Sequence, residues 1–223
     1  MVRRAVSVLA ILAAAAQAQD WIALPAAQWL EVTGLPFPAR SWVVEGGVLK
    51  ALPDNADGMQ DLRTTAIYRK FEFEFEWKLE KGANSGVKYL IQKTDRWRKK
   101  DATGFQARAR GLEYQLIDDE INPDAKNGPS RGTGALYSIL PPARKAPPAV
   151  GSWHASRIVV ADGKVQHWLD GERVLEFELS QPEVSAALRK MRGAGEIVLD
   201  SPISLQNHGG GILFRNLRVR RLP

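Results

Sequence analysis

The segment Phe71-Glu72-Phe73-Glu74-Phe75-Glu76-Trp77-Lys78-Leu79 alternates strictly between apolar and charged residues. Successive side chains of a β-strand point to opposite faces, so this pattern places all the apolar side chains on one face. An α-helix would scatter the same aromatic rings around its circumference. The segment therefore predicts a β-strand with one face on a hydrophobic core and the other face in water.

Shorter segments of similar character occur on both sides of this strand. Turn signals such as Asp162-Gly163 and Asp170-Gly171 separate several of them, so Ser156 to Leu179 is predicted to form a meander. One helix is predicted from Pro182 to Met191, with Ser180 or Gln181 near its cap and Gly193 after its end. The other predicted strands are Val48–Ala51, Val87–Gln92, Leu112–Ile117, Ala135–Leu140, Ser156–Val160, Val165–Leu169, Val174–Leu179, Ile203–Gln206 and Ile212–Arg220.

The order of these elements predicts an all-β architecture. Helices do not alternate with the strands, which argues against a parallel sheet and favours an antiparallel β-sandwich of the jelly-roll kind, with one short helix. Two long stretches, Thr94 to Gly111 and Asp119 to Thr133, are interpreted as loops. Because long loops are uncommon unless they serve a function, and both flank Leu112–Asp118, that strand is the predicted centre of the site.

Composition narrows the chemistry and the location. The 223 residues are 44% hydrophobic and 25% charged and include no Cys, which excludes disulfides, thiol nucleophiles and Cys-based metal sites. Arg3 and Arg4, followed by an apolar run and Ala16-Gln17-Ala18, predict a cleaved export signal over residues 1–18 and one domain over 19–223. We therefore expect a periplasmic or secreted protein without stable membrane insertion. Its basic runs are interpreted as solvated surfaces rather than a nucleic-acid site.

Polar residues near Leu112–Asp118 are the candidate functional groups. On a strand, Glu113 and Gln115 share one face, and Asp118 would join them only through a bulge. Periodicity leaves open whether this face lines a cleft or is simply solvated. His208 lies between Gln206-Asn207 and three glycines, where backbone without side chains lets a ligand approach, so a functional and a structural role are equally compatible with the pattern.

Several motifs together resemble the 3-keto-disaccharide hydrolase domain family, formerly a domain of unknown function with a concanavalin-like jelly-roll fold. Trp42-Val43-Val44-Glu45-Gly46-Gly47-Val48-Leu49, Asn84-Ser85-Gly86 and Gly111-Leu112-Glu113-Tyr114-Gln115-Leu116-Ile117-Asp118-Asp119 are similar to its opening, its N-S-G turn and its G-x-E-Y-Q-I-L-D motif. Further matches are Thr133-Gly134-Ala135-Leu136-Tyr137, His167-Trp168-Leu169-Asp170-Gly171, Leu205-Gln206-Asn207-His208-Gly209 and Phe214-Arg215-Asn216-Leu217.

The resemblance implies a hydrolase or lyase that acts on 3-keto-glycosides or 3-keto-disaccharides. A ketone at C3 acidifies the C2 proton, so a base removes it, the C1 substituent is eliminated, and water adds. By matching motifs, His208 and Glu113 are the candidate base or metal ligands, and Lys88 and Arg131 the candidate enolate-holding groups. Asn84, Gln115, Asp118 and Tyr137 are expected to bind hydroxyl groups, and Trp153 to stack on the sugar. One divalent ion, calcium or a transition metal, is compatible with Glu113 and His208, and no organic cofactor is expected.

Two other functions remain open at this point. A non-catalytic carbohydrate-binding module is the main alternative, because jelly-roll sandwiches also act as lectins. It is favoured by a departure from the family's K-P-x-G-E-W-N motif, whose acidic residue is Ser152 and whose Asn is His154 here. The third interpretation treats Glu113 and Asp118 as a laminarinase-like carboxylate pair for ordinary glycoside hydrolysis, which requires a bulge between them.

Overall fold

The computed structural model describes residues 20–53, 59–98, 105–143 and 146–223. The predicted export signal over residues 1–18 lies outside these ranges. Within them the strands are β1 (Ile22–Ala23), β2 (Trp29–Glu31), β3 (Trp42–Glu45), β4 (Val48–Ala51), β5 (Leu62–Thr64), β6 (Phe71–Leu79), β7 (Asn84–Arg98), β8 (Phe105–Ile117), β9 (His154–Ala161), β10 (Lys164–Leu169), β11 (Glu172–Glu178), β12 (Ser204–Leu205) and β13 (Ile212–Arg221). The helix α1 spans Pro182–Arg192, and short 3-10 helices lie at Ala26–Gln28, Pro123–Asn127 and Pro129–Arg131.

Two antiparallel sheets form the sandwich that the sequence predicts. In the larger sheet the order is β11-β10-β9-β6-β13-β4-β3, and β1 also pairs with β13. In the five-stranded sheet the order is β2-β5-β12-β7-β8. The strands β9, β10 and β11 are neighbours, so the predicted meander is confirmed, and both Asp-Gly turns have positive φ at each residue, as in hairpin turns.

The core lies between the sheets, and β6 shows why its sequence alternates. Phe71, Phe73, Phe75, Trp77 and Leu79 are all buried at 2% exposure or less. The opposite face of β6 carries Glu72, Glu74 and Glu76, each ion-paired with an arginine directly across on β13. The basic run at the end of the chain is therefore neutralised on this outer face, in agreement with its interpretation as a strand surface.

Several predicted boundaries are corrected. Thr94 to Gly111 is wrong as a loop, because β7 and β8 continue through most of it as a long two-stranded ribbon, whose charged residues pair across the strands. Ala135–Leu140 is wrong as a strand: Leu136 and Leu140 close a turn with Ser138 at φ 63°, so the chain reverses there. The strands β1 and β2 lie in a part of the chain for which no element is predicted. Asp119 to Thr133 is irregular apart from 3-10 turns, as predicted.

The helix α1 covers one edge of the five-stranded sheet. It begins after Gln181 and ends at Gly193, whose φ of 78° is the left-handed conformation that favours glycine at this position. Val184 and Leu188 bury one side of the helix in the core. In the described part of the chain, no helix is both long and apolar enough to cross a membrane.

Candidate active site

The outer face of the five-stranded sheet carries Glu113 and Gln115. In the β7–β8 ladder, Lys88 pairs with Glu113, and Gly86 pairs with Gln115, so these four residues point to the same side. The intervening Tyr114 is fully buried on the core side. The face assignment predicted for Glu113 and Gln115 is therefore confirmed, and this face lines a cleft rather than open solvent.

Gly86 lets the Glu113 side chain lie flat against the sheet. A Cβ placed on Gly86 would be 2.3 Å from Glu113 Oε1 and 2.9 Å from its Cδ, closer than any real contact. No side chain in the described ranges donates a hydrogen bond to this carboxylate. The Glu113 side chain thus lies against the backbone of Gly86 and keeps both carboxylate oxygens available for a ligand.

Lys88 is fixed by a buried ion pair. Its ammonium lies 3.3 Å from Asp61 Oδ2, and the two side chains are 5% and 0% exposed. The other Asp61 oxygen, Oδ1, accepts a hydrogen bond from the backbone N–H of Asn207 at 3.1 Å. Asp61 therefore connects the Lys88 position on β7 to the loop that carries His208.

The loop at Asn207-His208 is shaped by its own side chain and by the glycines. Asn207 Oδ1 accepts hydrogen bonds from the backbone N–H groups of Gly209 and Gly210, each at 3.0 Å. Gly210 has φ +87°, and a Cβ there would be 2.9 Å from the Pro53 nitrogen, so both conformation and space require glycine. This turn places His208 at the rim of the same cleft as Glu113, where its side chain is partly covered by the wall and partly open to solvent.

A cavity of about 660 Å³ occupies this face and brings most of the predicted residues together. Three of its polar atoms are buried without a hydrogen-bond partner: Gln115 Oε1, Gln206 Oε1 and Arg108 Nε. Buried polar atoms are normally paired, so these three would gain a hydrogen bond from a ligand once the side chains that cover them move aside. The residues of this wall with candidate roles are Asn84, Lys88, Arg108, Glu113, Gln115, Tyr137, Gln206 and His208.

The surroundings shift the pKa values of Glu113 and His208 in opposite directions. Burial raises the pKa of Glu113, and the nearby Lys88 charge opposes this effect. Burial, followed by the positive charge of Arg108, lowers the pKa of His208 below its usual value of 6.5. The imidazole is therefore less readily protonated than an ordinary histidine, and the carboxylate is more basic than an ordinary glutamate. Both changes suit proton transfer.

Tyr137 reaches the cavity from a network of its own. Its hydroxyl donates to Asp124 Oδ2 at 2.8 Å and accepts from Arg131 Nη1 at 2.6 Å. The same Arg131 nitrogen donates to Asp124 Oδ1 at 2.6 Å. Burial and then the Asp124 carboxylate raise the pKa of Tyr137 to about 12, so it stays a neutral phenol. Arg131 holds Tyr137 in place and does not itself line the cavity.

A second cavity of about 650 Å³ opens on the other side of Tyr137. It shares Asn84, Tyr137 and His208 with the first cavity and continues over the glycines after His208. Asn84 Oδ1 accepts a hydrogen bond from Gln115 Nε2 at 3.3 Å, which orients both amides at the junction. The two cavities therefore form one cleft in which these groups stand between two compartments.

Two predicted substrate contacts are not brought to this cleft. Asp118 uses its carboxylate oxygens to accept backbone hydrogen bonds from Gly82, Glu120 and Ile121. Burial opposes the effect, but these bonds together lower its pKa, as expected for a carboxylate that closes a loop. Trp153 lies on the outer face of the larger sheet, where the Arg215 guanidinium stacks 4.0 Å from its ring centroid. Asp118 is accordingly unsuited to be the second carboxylate of a laminarinase-like pair.

Three residues of the site were not anticipated from the sequence. Asp61 stands outside every segment considered functional, and Arg108 was assigned to a loop that is in fact strand β8. Gln206 is predicted only as the end of the strand Ile203–Gln206 and as part of the Leu205-Gln206-Asn207-His208 motif. Its position next to His208 after a short strand is the one sequence signal that points to it. His167, by contrast, is core: its Nε2 lies 2.7 Å from the Tyr89 hydroxyl.

The donor groups do not fit a resident divalent ion. In the described ranges, no three His, Asp or Glu side chains are clustered as metal ligands. Glu113 and His208 share the cleft, but the positive charges of Lys88 and Arg108 act on both of them. A divalent cation between these groups would be repelled by Arg108, whose charge has no ion-pair partner among the described residues, unlike that of Lys88.

The sequence and the fold were compared with those of known proteins. Residues 21–220 match the model of the 3-keto-alpha-glucoside-1,2-lyase-like domain. A 3-keto-disaccharide hydrolase from Bacteroides thetaiotaomicron is 31% identical over 206 residues, which cover 81% of this chain and 70% of that protein.

Solved structures agree with the sandwich. The crystal structure of a candidate glycosyl hydrolase from Parabacteroides distasonis has a TM-score of 0.69 and 26% identity, covering 88% of this chain and 89% of that one. The laminarinase from Rhodothermus marinus has a TM-score of 0.51 and 13% identity, covering 93% and 98%, and this likeness extends to the fold alone.

Proposed function

This chain belongs to the family of 3-keto-alpha-glucoside-1,2-lyase-like domains, and from that premise we propose that it cleaves 3-keto-glycosides. The reaction is C2 deprotonation, loss of the C1 substituent and hydration of the product. The relative from Bacteroides thetaiotaomicron, named a 3-keto-disaccharide hydrolase, supports a carbohydrate-cleaving activity of this class. The predicted signal sequence supports the further proposal that the protein is exported to the periplasm or secreted.

One observation carries the proposal: Glu113, Lys88 and His208 face a single cavity from three different segments of the chain. A carboxylate without a protein partner is beside a fixed ammonium, which is the pair that enolate formation requires. A base takes the proton, and a positive group stabilises the negative charge that develops on the ketone oxygen. A purely sugar-binding surface has no need of such a pair.

In the first step Glu113 removes the C2 proton, and the electron pair of the C–H bond forms the enolate. Its oxygen, the former C3 ketone, faces the ammonium of Lys88, which Asp61 holds in position. In the second step the enolate returns to a ketone, a C1=C2 double bond forms, and the C1–O bond breaks. The departing oxygen receives a proton relayed by His208 from water. The hydroxide left from that water adds to C1, and Glu113 returns its proton to C2, which gives the free keto sugar and restores the carboxylate.

The remaining polar groups bind and orient the sugar. The unpaired oxygens of Gln115 and Gln206 accept hydrogen bonds from sugar hydroxyls. Asn84 and Tyr137, at the junction of the two cavities, bind further hydroxyl groups of the substrate. No step is routed through a metal ion, because the donor groups do not favour one.

The test measures the release of free sugar from 3-keto-trehalose and from a chromogenic 3-keto-glucoside, with the unoxidised glycosides as controls. Wild type, Glu113→Gln and His208→Ala are compared with and without added divalent metal. We expect turnover of the keto substrates alone, without metal, and losses of about 100-fold or more for each variant.

Each other outcome has a distinct meaning. Saturable sugar binding without turnover by the wild type would assign the chain to the binding-module class. Cleavage of unoxidised glycosides would contradict the elimination chemistry. Turnover only after a divalent ion is added would instead make Glu113 and His208 its ligands.

A further inference from the structure

The wall of the first cavity beyond the catalytic groups is strongly basic. Glu113 and Asp95 are the acidic residues on the described lining of this cavity. A neutral sugar binds little more tightly because of such an excess of positive charge, so the excess indicates a substrate that carries negative charge. The cationic side chains on the lining are Lys88, Lys93, Arg108, Arg110 and Lys190.

Three of these cations already have carboxylate partners. Lys88 pairs with Asp61, as described above. Lys93 and Arg110 share Asp95 at 3.2 Å and 2.6 Å on the β7–β8 ribbon. Their charges are therefore largely compensated within the protein.

Arg108 and Lys190 are different. Neither one has an ion-pair partner among the residues that the structure describes, and Arg108 Nε is buried without a hydrogen-bond acceptor. A buried guanidinium nitrogen without an acceptor is costly, and the cost is recovered when a ligand supplies an anionic oxygen. Arg108 comes from β8 and Lys190 from α1, so the two cations approach the cavity from separate elements.

Apolar groups line the same compartment near these cations. Ala187 and Met191 lie on the turn of α1 that carries Lys190, and Ala109 follows Arg108 in β8. Ile139 completes this lining from the turn after Tyr137. A second sugar would leave such groups in contact with hydroxyls, whereas an aromatic or alkyl group would pack on them.

We propose that this compartment, defined by Arg108, Lys190, Ala109 and Met191, binds a leaving group that carries a carboxylate on an apolar body. The preferred substrates are then 3-keto-glycosides of acidic aglycones. This inference rests on the proposed function of the neighbouring catalytic groups. It adds the chemical class of the leaving group, which differs from the second sugar that the name of the Bacteroides thetaiotaomicron relative implies for that protein.

The experiment compares two substrates that differ mainly in one charge, the 3-keto-glucosides of 4-hydroxybenzoate and of 4-hydroxybenzamide. The ratio of their kcat/KM values is measured for wild type, Arg108→Gln and Lys190→Gln. Because each variant is compared on both substrates, differences in leaving-group reactivity cancel. Lys164→Gln, which removes a charge from β10 outside the cavity, is the matched control.

We expect the wild type to prefer the carboxylate, and Arg108→Gln to reduce that ratio by about tenfold. Lys190→Gln, whose side chain is exposed, should reduce it by about threefold. Lys164→Gln should leave the ratio unchanged, and higher salt should weaken the wild-type preference. Equal ratios in wild type and both cavity variants would overturn the proposal while leaving the catalytic function intact.

If neither substrate is turned over, the proposed catalytic function is contradicted. A binding measurement then still tests the proposed compartment. Calorimetry with the unoxidised 4-hydroxybenzoate glucoside then decides. Binding that is weakened by Arg108→Gln and absent for the benzamide glucoside supports a basic compartment for acidic leaving groups. Equal binding of both glucosides, or none of either, would refute it.

Discussion

Replacing Gly86 with Ala should disable the enzyme without unfolding it. The Ala Cβ would be 2.3 Å from Glu113 Oε1, 2.8 Å from its Cγ and 2.9 Å from its Cδ. Carbon atoms in ordinary contact are about 3.5–4.0 Å apart, so the carboxylate must move by about 1 Å. The backbone of Gly86 is in an ordinary strand conformation that Ala also adopts, and the fold should therefore tolerate the change.

The size of the effect follows from that displacement. A reacting group displaced by about 1 Å loses about 100-fold in rate, which corresponds to about 2.7 kcal/mol of transition-state stabilisation. We expect kcat on a chromogenic 3-keto-glucoside to fall by this factor in Gly86→Ala. The free energy of unfolding, measured with urea, should change by no more than about 1 kcal/mol.

A double-mutant cycle tests whether the loss acts through Glu113. In the Glu113→Gln background the base is already absent, so adding Gly86→Ala should slow the residual reaction by no more than about threefold. Two results would refute this reasoning. One is Gly86→Ala retaining more than half of the wild-type kcat, and the other is an equally large loss in both backgrounds.

Three further predictions concern charge. Burial lowers the pKa of His167 to about 4, so between pH 7 and pH 4.5 this side chain is protonated in the unfolded chain before it is protonated in the folded chain. The free energy of unfolding should therefore fall by about 2.5 kcal/mol from pH 7 to pH 4.5. Urea titrations of His167→Gln should lack this loss. The wild-type kcat/KM should fall at low pH with an apparent pKa above the ordinary glutamate value of 4.5, because burial raises the pKa of Glu113, and Glu113→Gln should lose this limb. Lys88→Met should destabilise the protein by about 3–5 kcal/mol because Asp61 is left buried and unpaired, and Asp61→Asn in the same chain should restore at least half.

Each of these predictions has a contrary outcome. Equal pH slopes for wild type and His167→Gln would mean that His167 does not account for the acid sensitivity. An acidic limb that survives in Glu113→Gln would assign the titration to another group, with His208 the first to examine. A Lys88→Met protein as stable as the wild type would show that the Lys88–Asp61 pair contributes no net stability.

Much of the fold was predictable because each strand records its own environment. The alternation in Phe71–Leu79 and the Asp-Gly turns of the meander follow from local geometry, and the structure confirms both. Prediction failed where a strand leaves the core. In the β7–β8 ribbon, charged side chains contact each other across the two strands instead of packing in a core. The residues from Thr94 onward therefore lack the apolar alternation of a core strand.

The candidate site was predictable only in part, because a local pattern shows which face a side chain occupies but not what it contacts. The motif around Glu113 placed Glu113 and Gln115 on one face, and the structure confirms that geometry. The same motif ends at Asp118, whose carboxylate also has two oxygens that could bind a ligand. In the structure this carboxylate instead accepts a hydrogen bond from the backbone N–H of Gly82 and closes a loop. Local pattern does not distinguish a carboxylate that binds a ligand from one that accepts backbone hydrogen bonds.

The sequence by itself determined the sandwich, the order of most of its strands along the chain and which face of β8 is polar, because periodicity is a property of neighbouring residues. The meeting of Lys88, Arg108, Glu113 and His208 at one cavity, and the pairing of Lys88 with the buried Asp61, depend on the tertiary structure. These residues come from separate segments whose pairing in the sheet is set by hydrogen bonds and packing between strands. The same packing buries Glu113 and part of His208, which shifts the pKa values of both groups, and no local pattern encodes that burial.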